Sequence, residues 1–339
     1  MEKILVTGAA GFIGFHLSQS LTDKGYEVFG IDTVNNYYDV DLKMDRLKIL
    51  KNINTFRFEA MSICDKDSLD ELFAREKFTC VINLAAQAGV RYSIDKPYKY
   101  IDANLIGFIN ILEACRNYPV KHLIFASSSS VYGANTEIPF STSQSTDHPL
   151  SLYAATKKAN EMMAHSYAAM YKIPCTGLRF FTVYGPWGRP DMAYFSFTKN
   201  ILANEPIKIF NEGNMMRDFT YIDDITAAIA LLVNHQPGSR NQSDLPEGAK
   251  LSSAESYAPY HIYNIGNNSP VSIMEFIETL EKAIGKEAIK EYHPMQKGDM
   301  QKTYADIDDL YGAIGYKPET SIEYGLTQFV SWYKKYYNV

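Results

Sequence analysis

The sequence predicts an α/β protein: a Rossmann-type doubly wound parallel sheet followed by a smaller, mixed α/β C-terminal lobe. Three observations point there. A short β-branched run, Ile4-Leu5-Val6, passes straight into the glycine turn Thr7–Gly14. Apolar strand-like runs then alternate with amphipathic helical stretches through residue 133, the order that builds a right-handed parallel sheet. A hydroxyl-rich turn, Ser127-Ser128-Ser129-Ser130, ends one of those apolar runs, where such sheets place their ligands. The chain has 339 residues, 46% apolar and 21% charged, with formal net charge −6. That length suits one large α/β domain with an appended lobe, expected at 1–184 and 185–339, with segments near 221–234 and 261–266 returning to the first. Mild acidity argues against nucleic-acid or acidic-membrane partners. The four cysteines are scattered without metal-like spacing, so no metal is expected and reduced thiols in a cytoplasmic protein are. A strand begins within three residues of Met1 and no apolar run reaches membrane-spanning length, so neither signal peptide nor membrane segment is expected.

In chain order, Phe12, Ile13, Leu17 and Leu21 recur at helical spacing after the glycine turn. Strand, glycine turn and helix in succession are the context of a dinucleotide pyrophosphate site. Gly8 permits the tight turn, Gly11 removes the Cβ that would block the pyrophosphate, and Gly14 lets helix and strand approach. The spacing is G-x-x-G-x-x-G, which departs from the general G-x-G-x-x-G fingerprint. Glu27–Ile31 reads as the second strand, ending in Asp32, 18 residues beyond Gly14. A carboxylate about 20 residues on binds an adenosine ribose diol and repels a 2′-phosphate, which favours NAD over NADP; the alternative is a turn-capping aspartate. Thr55–Ala60 is a third strand, Asp67–Phe73 a helix, and Cys80–Leu84 a fourth strand ending in Ala85-Ala86-Gln87. Small residues there let a ligand approach the backbone. Arg91 is either a phosphate or carboxylate contact or a surface ion-pair partner. Tyr100–Arg116 reads as one helix with Ile101, Leu105, Phe108, Ile109 and Leu112 on its apolar side, interrupted by Asn104, which is either a link to the active-site backbone or a core amide.

His122–Ala126 is the buried strand that leads to the serines. Tyr153–Tyr171 is a long helix in which Tyr153 and Lys157 share a face at i, i+4. A nearby ammonium lowers a phenol's pKa by about 1–3 units, so Tyr153 is expected to be poised for base chemistry. Thr176–Phe181 is another strand, Thr182–Pro190 a rigid loop able to aim Arg189, Phe195–Leu202 a short helix, and Ile207–Phe210 a strand. Arg217–Asp224 leads into a helix through Val233. Residues 235–260, rich in Pro, Gly, Ser, Asn and Gln, read as an exposed insertion loop. Tyr263–Gly266 ends a strand. Ser272 with Glu275 opens an amphipathic helix through Ala283 as a capping box.

The ordered set of glycine turn, Asp32, Asn83-Leu84-Ala85-Ala86, Ser-Ser-Val-Tyr-Gly, Tyr-x-x-x-Lys and Arg217–Asp224 resembles the extended short-chain dehydrogenase/reductase superfamily of nucleotide-sugar enzymes over essentially the whole chain. Three stretches, Gly30–Leu42, Ala85–Ser93 and Leu178–Ala193, resemble the UDP-glucuronate 4-epimerases within it. The resemblance implies a catalytic Ser128, Tyr153 and Lys157. It implies tightly bound NAD against Gly8, Gly11, Phe12, Ile13, Gly14, Asp32, Ser62, Ile63, Leu84, Ala85, Ala86, Gln87, Asn104, Tyr153, Lys157 and Phe181. It implies a UDP-sugar meeting Arg91, Ser128, Ser129, Ser130, Thr182, Arg189, Arg217 and Asp299, with Arg217 on the phosphates and Thr182 and Arg189 on the sugar carboxylate. A homodimer through the Tyr100–Arg116 and Tyr153–Tyr171 helices is expected by analogy, as is supply of polysaccharide precursors. Two positions depart from the pattern: Ser62, after Met61, stands where an acidic residue near the adenine is usual, and Gln296 where UDP-glucose-type epimerases have Arg.

The implied reaction inverts carbon 4 through a transient 4-keto sugar. A 4-keto glucuronate is a β-keto acid, so its carboxylate must be clamped against loss of carbon dioxide. Related decarboxylases carry Glu just before Val-Tyr-Gly and the dehydratases Asp-Glu; here Ser129 and Ser130 occupy those positions. The nearest rival is a UDP-glucose 4-epimerase, a more distant one the decarboxylase, and from another class a non-catalytic NAD-binding subunit.

Overall fold

A computed structural model describes residues 2–240, 251–295 and 301–339. Seven parallel strands form the main sheet: β1 (Lys3–Thr7), β2 (Glu27–Asp32), β3 (Phe56–Ala60), β4 (Cys80–Asn83), β5 (His122–Ala126), β6 (Cys175–Phe180) and β10 (Tyr260–Ile265). Their order is β10-β6-β5-β4-β1-β2-β3, so the expected doubly wound sheet is present. Its strand order reverses between β1 and β4, where such sheets open a crevice for ligands. Alternation along each strand divides the core between the two faces. Ile4 and Val6 of β1 pack with Phe15, Leu17 and Leu21 of helix α1 (Phe12–Asp23), whereas Leu5 faces Leu69, Leu72, Phe108 and Leu123. The switch point is tied by the Thr7 hydroxyl, which donates to Asn83 Oδ1 at 2.7 Å and accepts from Ala85 N at 3.0 Å.

Helix α2 (Val40–Leu50) follows β2 and α3 (Lys66–Glu76) follows β3. The stretch expected as one helix from Tyr100 to Arg116 is interrupted. Short helices α4 (Tyr92–Asp95) and α5 (Pro97–Tyr100) lead into a π-helical run at Ile101–Ile106, and only Gly107–Asn117 (α6) is regular. The wider π turn shifts the phase of the face: Asn104, Gly107 and Ile111 are buried, while Ile101, Leu105 and Ile109 are only half-buried. Helix α7 (Leu152–Tyr171) is capped by the Ser151 hydroxyl on Ala154 N.

The remaining elements include two smaller sheets. Strands β7 (Thr182–Tyr184), β9 (Met216–Tyr221) and β11 (Pro270–Ser272) form one small sheet, and β8 (Ile207–Phe210) pairs with β12 (Lys290–His293) in another. Thr182–Tyr184 is therefore not loop: it pairs in parallel with Phe219–Tyr221, and the loop starts at Gly185. Helices α8 (Ala193–Ala203), α9 (Ile222–Leu232), α10 (Ile273–Ile284), α11 (Asp308–Ile314) and α12 (Ile322–Tyr337) complete the chain, and α9 packs with α1 against the main sheet. Ser272 caps α10 by accepting from Glu275 N. Residues 251–260 are not an exposed loop either. Ala254 and Ala258 are buried, and the Ser253 hydroxyl reaches the carbonyls of Thr142 and Gln144. The polar composition misleads because its hydroxyls satisfy main chain inside the fold; residues 241–250 lie outside the described set.

Candidate active site

The glycine turn is shaped by contacts that admit no side chain. Gly8 has φ +73° and a Cβ there would meet Ala85 N at 2.9 Å, while a Cβ on Gly14 would meet Gly8 O at 2.2 Å. Beside it, Asp32 accepts from Ala10 N at 3.1 Å and Val34 N at 2.8 Å. Burial raises its pKa, and those two N–H groups with the charge of Lys43 pull against the rise. A carboxylate has about four acceptor sites, so Asp32 keeps capacity for a diol.

These groups open into a cavity of about 330 Å³. Gly8, Gly11, Phe12, Ile13, Gly14, Asp32, Ser62, Ile63, Leu84, Ala85, Ala86, Gln87, Ser128, Tyr153, Lys157, Phe181 and Arg189 all line it. A glycine cradle, a diol-sized carboxylate and small residues along the opposite strand end fit an extended dinucleotide such as NAD. Asn104 does not line it. Its amide sits behind the wall, accepting from Gln87 N at 2.8 Å and donating to Gln87 O and the Thr156 hydroxyl. The π turn carries Asn104 into the space between the Gln87 segment and α7, so it shapes the cavity through Gln87. At the adenine-side position Ser62 faces the cavity, its hydroxyl accepting from Cys64 N.

At the other end stand Ser128, Tyr153 and Lys157. Lys157 is buried, its ammonium donating to Ala126 O at 2.8 Å, and burial lowers its pKa to about 8. The expectation for Tyr153 reverses: burial raises its phenol pKa, outweighing the lowering by a hydrogen bond with Ser128 and by the charge of Arg189. The cation that counters the rise is Arg189, while the Lys157 ammonium donates to Ala126 O of strand β5. Behind this group the Ser127 hydroxyl donates to Glu161 at 2.6 Å, and Glu161 forms a fully buried bidentate pair with Arg179 at 2.9 Å. Burial pushes the Glu161 carboxyl up, but Arg179 brings the balance down. One face of α7 thus presents Tyr153, Lys157 and Glu161 at successive i+4 steps, anchored to β6 and to the residue before Ser128.

Arg189 enters on the Gly185–Asp191 loop. Its Nε and Nη2 pair with Asp191, burial pushes its pKa down, and Asp191 more than restores it. The sequence reading missed three residues here, two of which, Arg46 and Tyr37, fix that loop. Arg46, fully buried, donates through Nη1 to Ala10 O and the Tyr38 hydroxyl, and through Nη2 to the carbonyls of Trp187 and Gly188. Tyr37 donates to Asp191. Lys43, buried, lines the cavity and donates to the Asn35 carbonyl. A signal existed: Lys43 and Arg46 interrupt the face of α2 that buries Leu42, Leu47 and Leu50.

The other predicted substrate residues lie outside this cavity. Ser129 and Ser130 are half-buried after Ser128, and Thr182 begins β7. The Arg91 guanidinium sits 5.3 Å above the Phe210 ring. Arg217 donates to the carbonyls of Met216 and Gln301. Met216 and Gln301 border a second cavity of about 720 Å³, with Gly133 and Ala134 opposite. Asp299 and Gln296 lie outside the described residues.

A glycine-turn dinucleotide cavity that ends in a serine, a tyrosine and a lysine defines a nucleotide-dependent α/β oxidoreductase-type enzyme. Residues 4–266 match the model of the NAD dependent epimerase/dehydratase family, and the chain belongs to that family; its cofactor is NAD. It is similar to Protein CapI of Staphylococcus aureus, 57% identical over 335 residues with 99% of each chain covered. It is also similar to a probable UDP-glucuronate 4-epimerase of Rhizobium meliloti, 48% identical and covering 99% of this chain and 98% of that one. Among solved structures it resembles UDP-glucuronic acid 4-epimerase from Bacillus cereus in complex with UDP-glucuronic acid and NAD. That likeness has TM-score 0.85 and 34% identity, over 99% of this chain and 100% of that one.

Proposed function

We propose that this protein catalyses the NAD-dependent epimerisation at carbon 4 of a UDP-hexuronate, converting UDP-glucuronate to UDP-galacturonate. One observation carries the reading: Ser128, Tyr153, Lys157 and the paired guanidinium of Arg189 share a cavity with the glycine turn. Tyr153 takes the proton from the carbon-4 hydroxyl, directly or through Ser128, and returns it after the 4-keto sugar has turned over. Ser128 and Arg189 both favour the phenolate against burial. NAD, when bound, supplies the reversible hydride acceptor and a further positive charge. Lys157, with a pKa of about 8, stays protonated near neutrality and donates to Ala126 O at the end of strand β5. Arg189 with Thr182 clamps the hexuronate carboxylate out of alignment with the keto group, through charge-assisted hydrogen bonds. Ser129 and Ser130 offer no acid to drive elimination or decarboxylation. Arg91 and Arg217 serve the UDP moiety.

Incubation with UDP-glucuronate, followed by separation of the nucleotide sugars and trapping of carbon dioxide, tests this. UDP-galacturonate as the main product supports it; faster turnover of UDP-glucose than of UDP-glucuronate removes the carboxylate assignment.

The assembly belongs to the same reading. Ile94, Tyr98, Ile106, Met162 and Met170 are exposed apolar side chains on the α4–α6 region and α7, and we propose that they meet their equivalents in a homodimer. Among the described residues no helix is long and apolar enough to cross a membrane. A cytoplasmic enzyme that supplies polysaccharide precursors is the setting we propose.

A further inference from the structure

Three segments far apart in the chain meet at one phenol. The Tyr37 hydroxyl donates to Asp191 Oδ2 at 3.2 Å, and its ring lies 4.9 Å from that of Tyr92. A Cβ on Gly89, where φ is +98°, would come within 2.6 Å of the same hydroxyl, so the chain is bare of side chain where the phenol passes. These are the three stretches, Gly30–Leu42, Ala85–Ser93 and Leu178–Ala193, that carry the narrower resemblance within the family.

What the phenol holds is the Asp191–Arg189 pair. Arg189 gives Asp191 its Nε–H and one Nη2–H. A guanidinium carries five N–H groups, so this side-on pairing leaves two on Nη1 and one on Nη2, the end-on fork that spans a carboxylate. The same side chain lines the cavity with Tyr153 and lies near enough to bias its ionisation. An unpaired arginine would lose rotamer freedom on meeting its ligand, whereas one fixed beforehand loses little. The network keeps its charge: burial raises the Tyr37 phenol to about 12, with the charge of Asp191 adding to it, so Tyr37 stays a neutral donor. Burial raises the Asp191 carboxyl but Arg189 brings it below its ordinary value, so it stays ionised.

We propose that Asp191 and Tyr37 are positioning residues that hold the Arg189 fork ready for the substrate carboxylate, and so set the preference for a uronate over a neutral hexose. This rests on the reading of Arg189 as the carboxylate clamp. Asp191→Asn keeps the size of the side chain but turns a charged bidentate acceptor into a neutral single one; Tyr37→Phe removes one hydrogen bond.

The test uses the purified NAD-loaded protein and both variants. It measures kcat and KM for UDP-glucuronate, the inhibition constant of UDP-glucose as a probe without the carboxylate, and carbon dioxide released per turnover. For Asp191→Asn the expected result is a KM about tenfold higher with the UDP-glucose constant within twofold of wild type. Carbon dioxide release rises as the loosened carboxylate reaches alignment with the 4-keto group: its bond to carbon 5 breaks, and the electron pair is taken up as an enolate. Tyr37→Phe moves the same quantities the same way, by about threefold. A KM and an inhibition constant that rise together would mark a merely structural role and overturn the proposal. Active wild type beside variants unaltered in KM and carbon dioxide release overturns it alone. Wild type that makes no product from UDP-glucuronate overturns the functional reading, and this proposal with it.

Discussion

The two ends of the cavity are built by different means. At the cofactor end, position is set chiefly by main chain, Gly8 against Ala85 N and Gly14 against Gly8 O, with the Thr7 hydroxyl as a side-chain tie. At the Arg189 end, position is set by side chains that reach across long stretches of sequence, Arg46 to Gly188 and Tyr37 to Asp191. Main-chain contacts change little with side-chain identity, so the first end suits a cofactor shared by many enzymes. Side-chain contacts change with each substitution, so the second end is where one substrate can be told from another.

The largest effect is expected where the two ends meet. Tyr153→Phe removes the proposed proton carrier while leaving the ring, and kcat should fall by about 10³-fold or more. Because the cofactor end does not depend on that hydroxyl, NAD bound per protein should stay at the wild-type level. Loss of NAD together with activity would show that the two ends are not separable.

Next is the buried anchor that joins them. Arg179 and Glu161 are 0% and 1% exposed, and removal of one partner of such a pair costs about 3–5 kcal/mol. Glu161→Gln should lower the thermal midpoint by several degrees in a chemical or calorimetric melt. Arg46→Met, which leaves the Trp187 and Gly188 carbonyls of the loop and the Ala10 carbonyl of the glycine turn without their donor, should act at both ends and more strongly at the Arg189 end. If both variants damage cofactor retention equally, the contrast between main-chain and side-chain construction fails.

What the sequence revealed follows the same division. The glycine turn, Asp32 and the strand ends could be read because each glycine encodes a contact within a few residues, and the strand-end positions recur in order. Ser128, Tyr153 and Lys157, which line one cavity, could be named because a serine turn and an i, i+4 pair are local patterns. Tyr37 and Asp191 could not, since they lie 154 residues apart; Arg46 leaves a trace on the apolar face of α2, but its loop carbonyls, 141 and 142 residues away, leave none. Asn104 is a link to the backbone that lines the cavity, one of the two roles open from its place in the helix, rather than the direct cofactor contact that the resemblance implied, and the π turn that sets it behind Gln87 has no plain sequence signature. The ionisation of Tyr153 was misjudged because spacing shows neither the burial that raises its pKa nor that Ala126 O holds the Lys157 ammonium.

A pH series sharpens the view of the catalytic end. Lys157 has its pKa lowered by burial to about 8, against about 10.4 in an unfolded chain. Below pH 8 both states carry the proton and the folded state bears the full cost of a buried charge. Between about 8 and 10.4 the unfolded state binds more protons, so this residue's contribution to stability rises with pH. The gain is at most about 3 kcal/mol by the relation of 1.36 kcal/mol per pKa unit. Denaturant midpoints of wild type and Lys157→Met, taken at intervals from pH 7 to 10, should shift in favour of wild type as pH rises. A difference that does not change with pH would mean that the ammonium is better solvated than its burial implies.

The smallest expected effect lies at the cofactor end. Asp32 accepts from Ala10 N and Val34 N on different oxygens, so Asp32→Asn keeps the size of the side chain while removing the negative charge and one of the two acceptors. That charge is what repels a 2′-phosphate. The ratio of NADP to NAD carried by the purified protein should rise about tenfold, equivalent to about 1.4 kcal/mol, with the cavity otherwise intact. The effect is limited because the glycine turn and the strand ends that grip the rest of the dinucleotide are main chain, untouched by the change. A much larger loss of all dinucleotide would mean that Asp32 holds the turn itself, through Ala10, and that even this end depends on one side chain.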